Sequence, residues 1–235
     1  ENAIDIIINC AAYTAVDKAE TEKEKAFAVN HLGVQNLVEI CSKHGIRLIH
    51  ISTDYVFDGR ESSPYVTEHP VSPTGIYGKS KEQGEKAIID STISAVIIRT
   101  SWVFSSFGNN FVKTMLRLGG ERDQLNVVND QFGCPTYARD LAVTCLEIAL
   151  TSTWKKTPSI YHFSNSGKTS WYDFATEIMK QANLNCSIHP IPSEDYPTPA
   201  ERPKYSVLET SKIQTDFNIT IRHWKEALSE CLESL

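Results

Sequence analysis

The stretch RLIHISTD, residues 47–54, decides the fold. Its leucine and isoleucines predict a buried strand from Arg47 to Ser52. Thr53 and Asp54 follow at the point where that strand ends. Ligands bind at the carboxyl ends of strands in open parallel sheets, so this polar group is a candidate site; the alternative is that it only turns the chain or caps a helix.

Strand and helix patterns alternate on both sides of this stretch. A β-branched run predicts a strand from Ile4 to Asn9, and apolar residues spaced by three and four predict a helix from Glu22 to His44. A second helix is predicted after Pro73, to about residue 90, and a strand over residues 95–100. Three strands alternating with two helices predict an α/β fold, with a mostly parallel sheet flanked by helices.

The alternation becomes looser in the second half of the chain. A sheet domain to about residue 130 and a smaller lobe beyond it are the domains that this pattern indicates. Five prolines between residues 190 and 203 predict a loop that suits a flap over a site. The further elements predicted are helices near 110–118, 137–150 and 171–181, and strands near 125–128, 160–163 and 186–191.

Composition excludes several classes of function. The chain has 235 residues and a net charge of −6, without the basic surface of a nucleic-acid binder. Its six cysteines are scattered, which disfavours zinc sites and disulfides and fits a cytoplasmic protein. The apolar runs are too short to span a membrane, and the 11 glycines form neither a G-x-G turn nor a P-loop.

Tyr77 and Lys81 form the central candidate pair. They lie four residues apart in the second predicted helix, so both side chains leave the same helix face. A nearby ammonium group favours the phenolate, and at about 5 Å it should lower the phenol pKa by roughly two units. The spacing alone is weak, because about half a match is expected by chance from composition. A hydroxyl at Thr53 could reach the same carbonyl substrate.

Seven motifs in order give the chain a family resemblance. They are similar to those of the extended short-chain dehydrogenases/reductases and, within them, of the dTDP-4-dehydrorhamnose reductases. The motifs are NCAAYTAVDKAE (9–20), STDYVFDG (52–59), TGIYGKSK (74–81), RTSWVF (99–104), GNNFVKTML (108–116), NDQFGCPT (129–136) and RPKYSVL (202–208). The resemblance implies a Rossmann-type domain over residues 1–130 and a sugar-nucleotide lobe mainly within 131–235, some segments of which return to the main sheet.

The resemblance also implies an activity and its catalytic residues. The activity is reduction of the C4 ketone of dTDP-4-dehydro-L-rhamnose by NADPH or NADH. Tyr77 would donate the proton, Lys81 would hold the nicotinamide ribose, and Thr53 would hydrogen-bond the reacting oxygen. Asn30 matches the asparagine of the superfamily's catalytic group.

Further residues are implied to bind the two ligands. For the cofactor these are Ala11, Ala12 and Tyr13, together with Tyr77 and Lys81. For the dTDP-sugar they are Thr14, Tyr55 and Trp102 near the nicotinamide or sugar, and Asn110, Gln131 and Arg202 at the diphosphate.

The chain also departs from the family pattern. The glycine-rich fingerprint should precede Ile4, so the sheet is expected to be N-terminally truncated and this polypeptide to bind dinucleotide weakly. Some members are described with an acidic metal site at a dimer interface. Arg139 is basic in the corresponding region, so no metal is expected, while a homodimer stays possible.

Two other functions remain open. The regulatory β-subunit of methionine adenosyltransferase resembles the same family, so a non-catalytic binding subunit is the alternative. A nucleotide-sugar epimerase or dehydratase is the other. Dehydratases place acidic residues directly after the active-site threonine, and Asp54-Tyr55 supplies only one carboxylate.

Overall fold

The computed structural model describes residues 4–152 and 154–235. The strands are β1 (Ile6–Asn9), β2 (Arg47–Thr53), β3 (Ala95–Thr100), β4 (Val103–Phe104), β5 (Gln124–Val128), β6 (Phe132–Gly133), β7 (Thr136–Tyr137), β8 (Ser159–His162), β9 (Thr169–Ser170) and β10 (Ser187–Ile191). The helices are α1 (Val16–Ala19), α2 (Lys23–Phe27), α3 (Gly33–His44), α4 (Ile76–Ile89), α5 (Phe111–Glu121), α6 (Ala138–Leu150), α7 (Trp171–Gln181), α8 (Ser211–Phe217) and α9 (Trp224–Glu233). A π-helical turn, Ala28–Leu32, joins α2 to α3.

The main sheet has the strand order β1-β2-β3-β8, and each neighbouring pair is parallel. Ile8 pairs with Ile49, and Ile49 pairs with Val96, so apolar residues share a row across the sheet. The predicted parallel α/β sheet is confirmed. The strand expected at 95–100 and the helix expected at 171–181 are observed with those bounds.

Alternate residues of β2 and β3 supply two separate hydrophobic cores. Leu48 and Ile97 pack on one face against α3 and α4. Ile49 and Ile98 point to the other face and pack against α6 and α8. Because successive side chains of a strand face opposite sides, these strands carry apolar residues on both faces and need cover on both, which the helices provide.

A third cluster forms the smaller lobe. It joins α5, α7 and α9 with the parallel pair β5 and β10. Its buried residues include Phe104 and Val127 as well as Phe174 and Trp224. Residues from both sides of position 130 therefore meet in it, while α6 and β8 pack with the main sheet. The division into two domains at this position stays a prediction.

A buried ion pair fixes α4 to the sheet. Arg99 on β3 donates from Nη2 to Glu85 Oε2 at 2.7 Å and from Nε to Oε1 at 2.9 Å. Ser52 at the end of β2 donates its hydroxyl to the same carboxylate. Both charged side chains are almost fully buried, at 3% and 2% exposure. The geometry is bidentate, which is the strongest form of such a pair.

None of the helices described here combines the length and apolar character that a membrane span requires.

Breaking the buried pair should destabilise the fold strongly. Arg99→Met leaves the Glu85 carboxylate buried without its partner, and we expect the free energy of unfolding to fall by about 3–5 kcal/mol. Urea denaturation followed by far-UV circular dichroism measures it. Arg117→Met is the matched control, because Arg117 pairs with Glu121 on an exposed surface, and it should cost less than about 1 kcal/mol. Equal losses for both variants would contradict the role of burial.

Candidate active site

A cavity of about 650 Å³ lies at the carboxyl ends of β1, β2 and β3. The parallel sheet exposes backbone and short polar side chains there, which is where ligands bind in open α/β folds. Seven of the predicted site residues line this cavity: Ala12, Thr14, Thr53, Tyr55, Tyr77, Lys81 and Trp102.

Tyr77 and Lys81 are placed by the first turns of α4. The helix starts where the Glu20 carboxylate accepts a hydrogen bond from the Ile76 amide at 2.8 Å. One turn of helix then separates the two side chains, and both are buried against the sheet. Gly78 allows the close approach, since a Cβ there would lie 2.2 Å from the Tyr55 carbonyl oxygen.

The electrostatics of Tyr77 differ from the expectation based on Lys81. Burial raises the pKa of the Tyr77 phenol above its ordinary value. A hydrogen bond with Thr53 acts in the opposite direction and is the smaller effect. The ring of Tyr55 meets that of Tyr77 edge-on at 5.5 Å. Tyr77 is therefore a neutral phenol, and it can give up a proton only to a strong base such as an alkoxide.

Lys81 reaches back into the sheet. Its Nζ donates to the Ile51 carbonyl at 2.7 Å and lies 3.4 Å from His50 Nε2. Burial lowers the pKa of Lys81 to about 8, and the charges of Glu85 and Cys10 act against that shift. The ammonium form is thus much less favoured than at a protein surface.

Thr53 is oriented by its own neighbours in the chain. Its hydroxyl donates to Asp54 Oδ1 at 3.0 Å and accepts from the Tyr55 amide at 3.2 Å. The Asp54 side chain is buried, and burial raises the pKa of its carboxyl to about 7. The Asp54 carboxyl therefore orients the Thr53 hydroxyl by accepting its hydrogen bond. The interpretation of Asp54 as a turn residue did not include this role.

Asn30 ties the predicted cofactor loop to α4. Its Oδ1 accepts from the Tyr13 amide at 2.8 Å, and its Nδ2 donates to the Tyr13 carbonyl at 3.0 Å. Nδ2 also donates to Ser80 Oγ at 3.0 Å. Ala11, in the same loop, donates its amide to Asn9 Oδ1 at 3.1 Å. Asn30 is fully buried, and it holds backbone rather than reaching the cavity.

Trp102 adopts a strained backbone. Its φ is +48°, which is rare for a large side chain and is often found at functional sites. The indole stacks on Trp171 with ring centroids 3.5 Å apart and planes inclined by 8°. Gly133 lies against the same indole, where a Cβ would be 2.6 Å from Cε2. Because one face is covered by Trp171, only the remaining surface is available to a ligand.

The predicted diphosphate residues are not among those that line the cavity. Arg202 donates from Nη2 to Asp17 Oδ2 at 2.6 Å and interacts electrostatically with Tyr55. Asn110 is the N-cap of α5, accepting from the Lys113 amide at 3.2 Å. Gln131 donates to Ser193 Oγ at 2.9 Å in the proline-rich loop. Arg202 thus interacts with a residue of the cavity lining, Tyr55.

Several site residues escaped the sequence interpretation. Asp54 was placed in the candidate polar group without a role of its own, and His50 and Trp171 were not considered. A histidine inside the apolar strand RLIHIS is a detectable signal, because a buried imidazole needs a hydrogen-bond partner. Trp171 gave no comparable signal, since a tryptophan at the start of a helix usually packs in the core.

Comparison with known proteins places the chain in a family. Residues 1–235 match the model of the RmlD substrate binding domain. A dTDP-4-dehydrorhamnose reductase of Sinorhizobium fredii is 46% identical over 232 residues, covering 96% of this chain and 78% of the relative. The chain belongs to the dTDP-4-dehydrorhamnose reductase family. This confirms the resemblance inferred from the motifs.

Other members of this family match over the same extent. A spore coat polysaccharide biosynthesis protein of Bacillus subtilis is 44% identical, covering 97% of this chain and 79% of the relative. The crystal structure of a dTDP-4-dehydrorhamnose reductase from Bacillus anthracis in complex with NADP has a TM-score of 0.91 and 40% identity, covering 97% of this chain and 80% of that one. The α/β fold is thus shared with a solved member of the family.

In the part of the chain that the structure describes, no group of three or more His, Cys, Asp or Glu side chains could hold a metal ion. The absence of a metal stays a prediction for the protein.

Gly133→Ala should disturb the tryptophan pair. The added methyl would lie 2.6 Å from the Trp102 ring and 2.7 Å from Ser206 Oγ, so the indole must shift. We expect the free energy of unfolding to fall by about 1–3 kcal/mol. Near-UV circular dichroism should show a weaker signal from the stacked indoles, with a lower melting temperature.

Gly120→Ala is the matched control for this variant. Among the described atoms none lies within 4 Å of a Cβ at Gly120, and alanine is the better helix former. Its near-UV spectrum should equal that of the parent chain. An unchanged spectrum for Gly133→Ala would show that the ring is not held there.

Proposed function

We propose that the chain reduces the C4 ketone of dTDP-4-dehydro-L-rhamnose to dTDP-L-rhamnose with NAD(P)H. The observation that carries this proposal is the meeting of Thr53, Tyr77 and Lys81 at one cavity, at the carboxyl ends of the strands. Two hydroxyl donors beside an amine suit the reduction of a carbonyl, because negative charge develops on its oxygen. The family membership supports the same reaction, and the spore coat relative supports a place in polysaccharide biosynthesis.

Proton transfer is the task of Tyr77 in this proposal. Its phenol is neutral, because burial raises its pKa, so the proton is in place before the reaction. An alkoxide is a stronger base than a phenolate, so transfer from Tyr77 to the nascent C4 oxygen is favourable. Thr53 donates a second hydrogen bond to that oxygen by rotating its hydroxyl away from Asp54.

The cavity fits a nicotinamide cofactor. Its lining is largely apolar, including Ile8 and Ala12, and it also carries the polar groups of Thr53 and Lys81. We propose that Lys81 and Tyr77 hold the ribose and that Ala11, Ala12 and Tyr13 lie along the cofactor. NAD(P)H, when bound, supplies the hydride. The Bacillus anthracis relative in complex with NADP supports the phosphorylated form.

We assign the dTDP-sugar to the outer part of the cavity. The free surface of the Trp102 indole and the ring of Tyr55 offer apolar contact to a deoxysugar, and Thr14 lies beside them. Arg202 has an Nη1 group that is buried and without a hydrogen-bond partner among the described atoms. A diphosphate oxygen would satisfy it, which supports Arg202 over Asn110 and Gln131 as the primary contact.

Tyr77→Phe tests the proposed chemistry. Removing the phenolic hydroxyl removes the proton donor, and we expect kcat with dTDP-4-dehydro-L-rhamnose and NADPH to fall by at least about 100-fold. NADPH oxidation at 340 nm measures it, while sugar-nucleotide affinity by calorimetry should change little. Tyr172→Phe, on helix α7, should retain full activity.

The outcome of this assay also separates the two classes of function. If the chain binds both NADPH and the sugar nucleotide but gives no cofactor oxidation above background, the binding-subunit alternative replaces the reductase.

We further propose that the protein is cytoplasmic and forms a homodimer. All six cysteines are free thiols, and five of them are buried, which suits a reducing compartment. Support for a dimer comes from an exposed apolar row on α6: Val143, Leu146 and Leu150 are 47%, 55% and 86% exposed. Such a row is typical of a contact surface.

Leu150→Glu should weaken the dimer. A charge in an apolar contact is costly, so we expect the dissociation constant from sedimentation equilibrium to rise at least tenfold, which is about 1.4 kcal/mol. Lys156→Glu, a charge change outside the row, should leave it unaltered. A parent chain that sediments as a monomer at all concentrations would overturn the proposed dimer.

A further inference from the structure

A chain of buried polar groups runs behind the active site. It starts at Asn9, the last residue of β1, passes through His50 in the middle of β2, and ends at Lys81 on α4. His50 is fully buried, and Asn9 and Lys81 are 7% and 1% exposed. Polar groups that are shielded from water must form hydrogen bonds with one another. The donor and the acceptor of each contact between Asn9, His50 and Lys81 can therefore be assigned.

The orientation of Asn9 follows from the cofactor loop. The Ala11 amide donates to Asn9 Oδ1 at 3.1 Å, which assigns the oxygen to that side. Asn9 Nδ2 then faces His50 Nδ1 at 2.9 Å. An amide nitrogen can only donate, so His50 Nδ1 accepts and carries no proton.

The position of the His50 proton follows from this contact. A ring whose Nδ1 accepts a hydrogen bond is neutral and holds one proton, and burial favours the same form by lowering the pKa of His50 well below its ordinary value. Because Nδ1 is an acceptor, that proton is on Nε2. His50 Nε2 thus presents an N–H to Lys81 Nζ, 3.4 Å away.

Lys81 must then accept as well as donate. It donates one hydrogen to the Ile51 carbonyl at 2.7 Å. An ammonium group has no lone pair and would oppose the His50 N–H, whereas a neutral amine accepts it. The charged or titratable groups facing Lys81 are Glu85 from its own helix, Cys10 after β1, and His50 from β2. The Glu85 carboxylate is already engaged by Arg99 and Ser52.

We propose that Asn9 and His50 are positioning residues that favour the neutral amine of Lys81 over its ammonium form while the cavity has no ligand. The geometry leaves the amine one further N–H for the cavity side. Asn9 and His50 also connect the Ala11 amide to the charge of Lys81. Ala11 lies in the loop that we predict along the cofactor. A shift of that amide frees Asn9 to turn, and His50 can then accept from a charged Lys81. The interpretation of the Ala11 loop rests on the proposed function; the proton assignment does not.

The first test uses the unaltered chain. Long-range ¹H–¹⁵N correlation spectra identify the protonated ring nitrogen of each histidine, and His50→Gln identifies the His50 signals. The Nε2–H tautomer is expected from pH 6 to 8. The ¹³Cε shift of Lys81, identified by its absence in Lys81→Arg, should titrate well below the other lysines. A His50 with its proton on Nδ1, or a Lys81 that titrates with the surface lysines, would overturn the proposal.

The second test reverses the tautomer. In Asn9→Asp, a carboxylate of nearly the same shape accepts from both the Ala11 amide and His50 Nδ1. The ring proton should move to Nδ1, Nε2 should accept from the ammonium, and the Lys81 pKa should rise by at least one unit. His162→Gln is the matched control: this second buried histidine faces the Tyr65 carbonyl at 3.1 Å, and its loss should leave the Lys81 signal in place.

The remaining outcomes are also decisive. If the Lys81 pKa rises in Asn9→Asp without a change of the His50 tautomer, the rise reflects only the added charge. This outcome counts against the proposed coupling of Asn9 and His50 to Lys81. An Asn9→Asp chain that fails to fold leaves the decision with the spectra of the unaltered chain. Neither measurement needs cofactor or turnover. A negative result in the spectra therefore does not count against the reductase activity, and a lack of activity does not count against the coupling of Asn9 and His50 to Lys81.

Discussion

The bidentate contact between Glu85 and Arg99 is the constraint on which the site depends. Tyr77, Lys81 and Glu85 follow one another at intervals of four along the same face of α4, so fixing the third also fixes the rotation of the helix. Arg99 belongs to β3, and Ser52, which also binds the carboxylate, ends β2. The pair therefore sets the helix against both strands that carry the site. Its value lies in this registration, because a buried ion pair adds little net stability over an apolar contact.

The motif NCAAYTAVDKAE shows how short polar side chains extend this order to the loops. Asn9 binds His50, and Glu20 binds the first amide of α4. Between them, Asp17 accepts from the Ala200 amide and from Arg202, which fastens the proline-rich segment to α1. Three side chains of this motif thus contact the sheet, the helix α4 and the proline-rich segment. A substitution of any of these three side chains would move groups on two sides of the cavity.

The sequence was sufficient for those features that depend on local periodicity. The strand ending at Thr53 and the four-residue spacing of Tyr77 and Lys81 specify a site at the edge of a parallel sheet, and the structure has it there. Properties that depend on distant packing were not accessible: Trp102 combines a positive φ with stacking on Trp171, and the raised pKa of Tyr77 follows from burial. Helices α8 and α9 were also missed, because their short apolar faces become apparent only against the sheet and lobe that they cover.

The pKa shifts of the site all act in favour of the neutral form of each group. Burial favours the neutral form of Tyr77, His50, Lys81 and Asp54 alike, raising the pKa of the two acids and lowering that of the two bases. The burial that causes these shifts also gives the cavity a low effective dielectric. A charge that enters with a ligand, or develops on a carbonyl oxygen, is then screened weakly, and each fixed dipole acts on it more strongly than in water. The Tyr77 phenol already carries its proton, and the Thr53 hydroxyl needs only a rotation away from Asp54 to meet that charge. Such a site is well suited to stabilising an oxyanion during reaction.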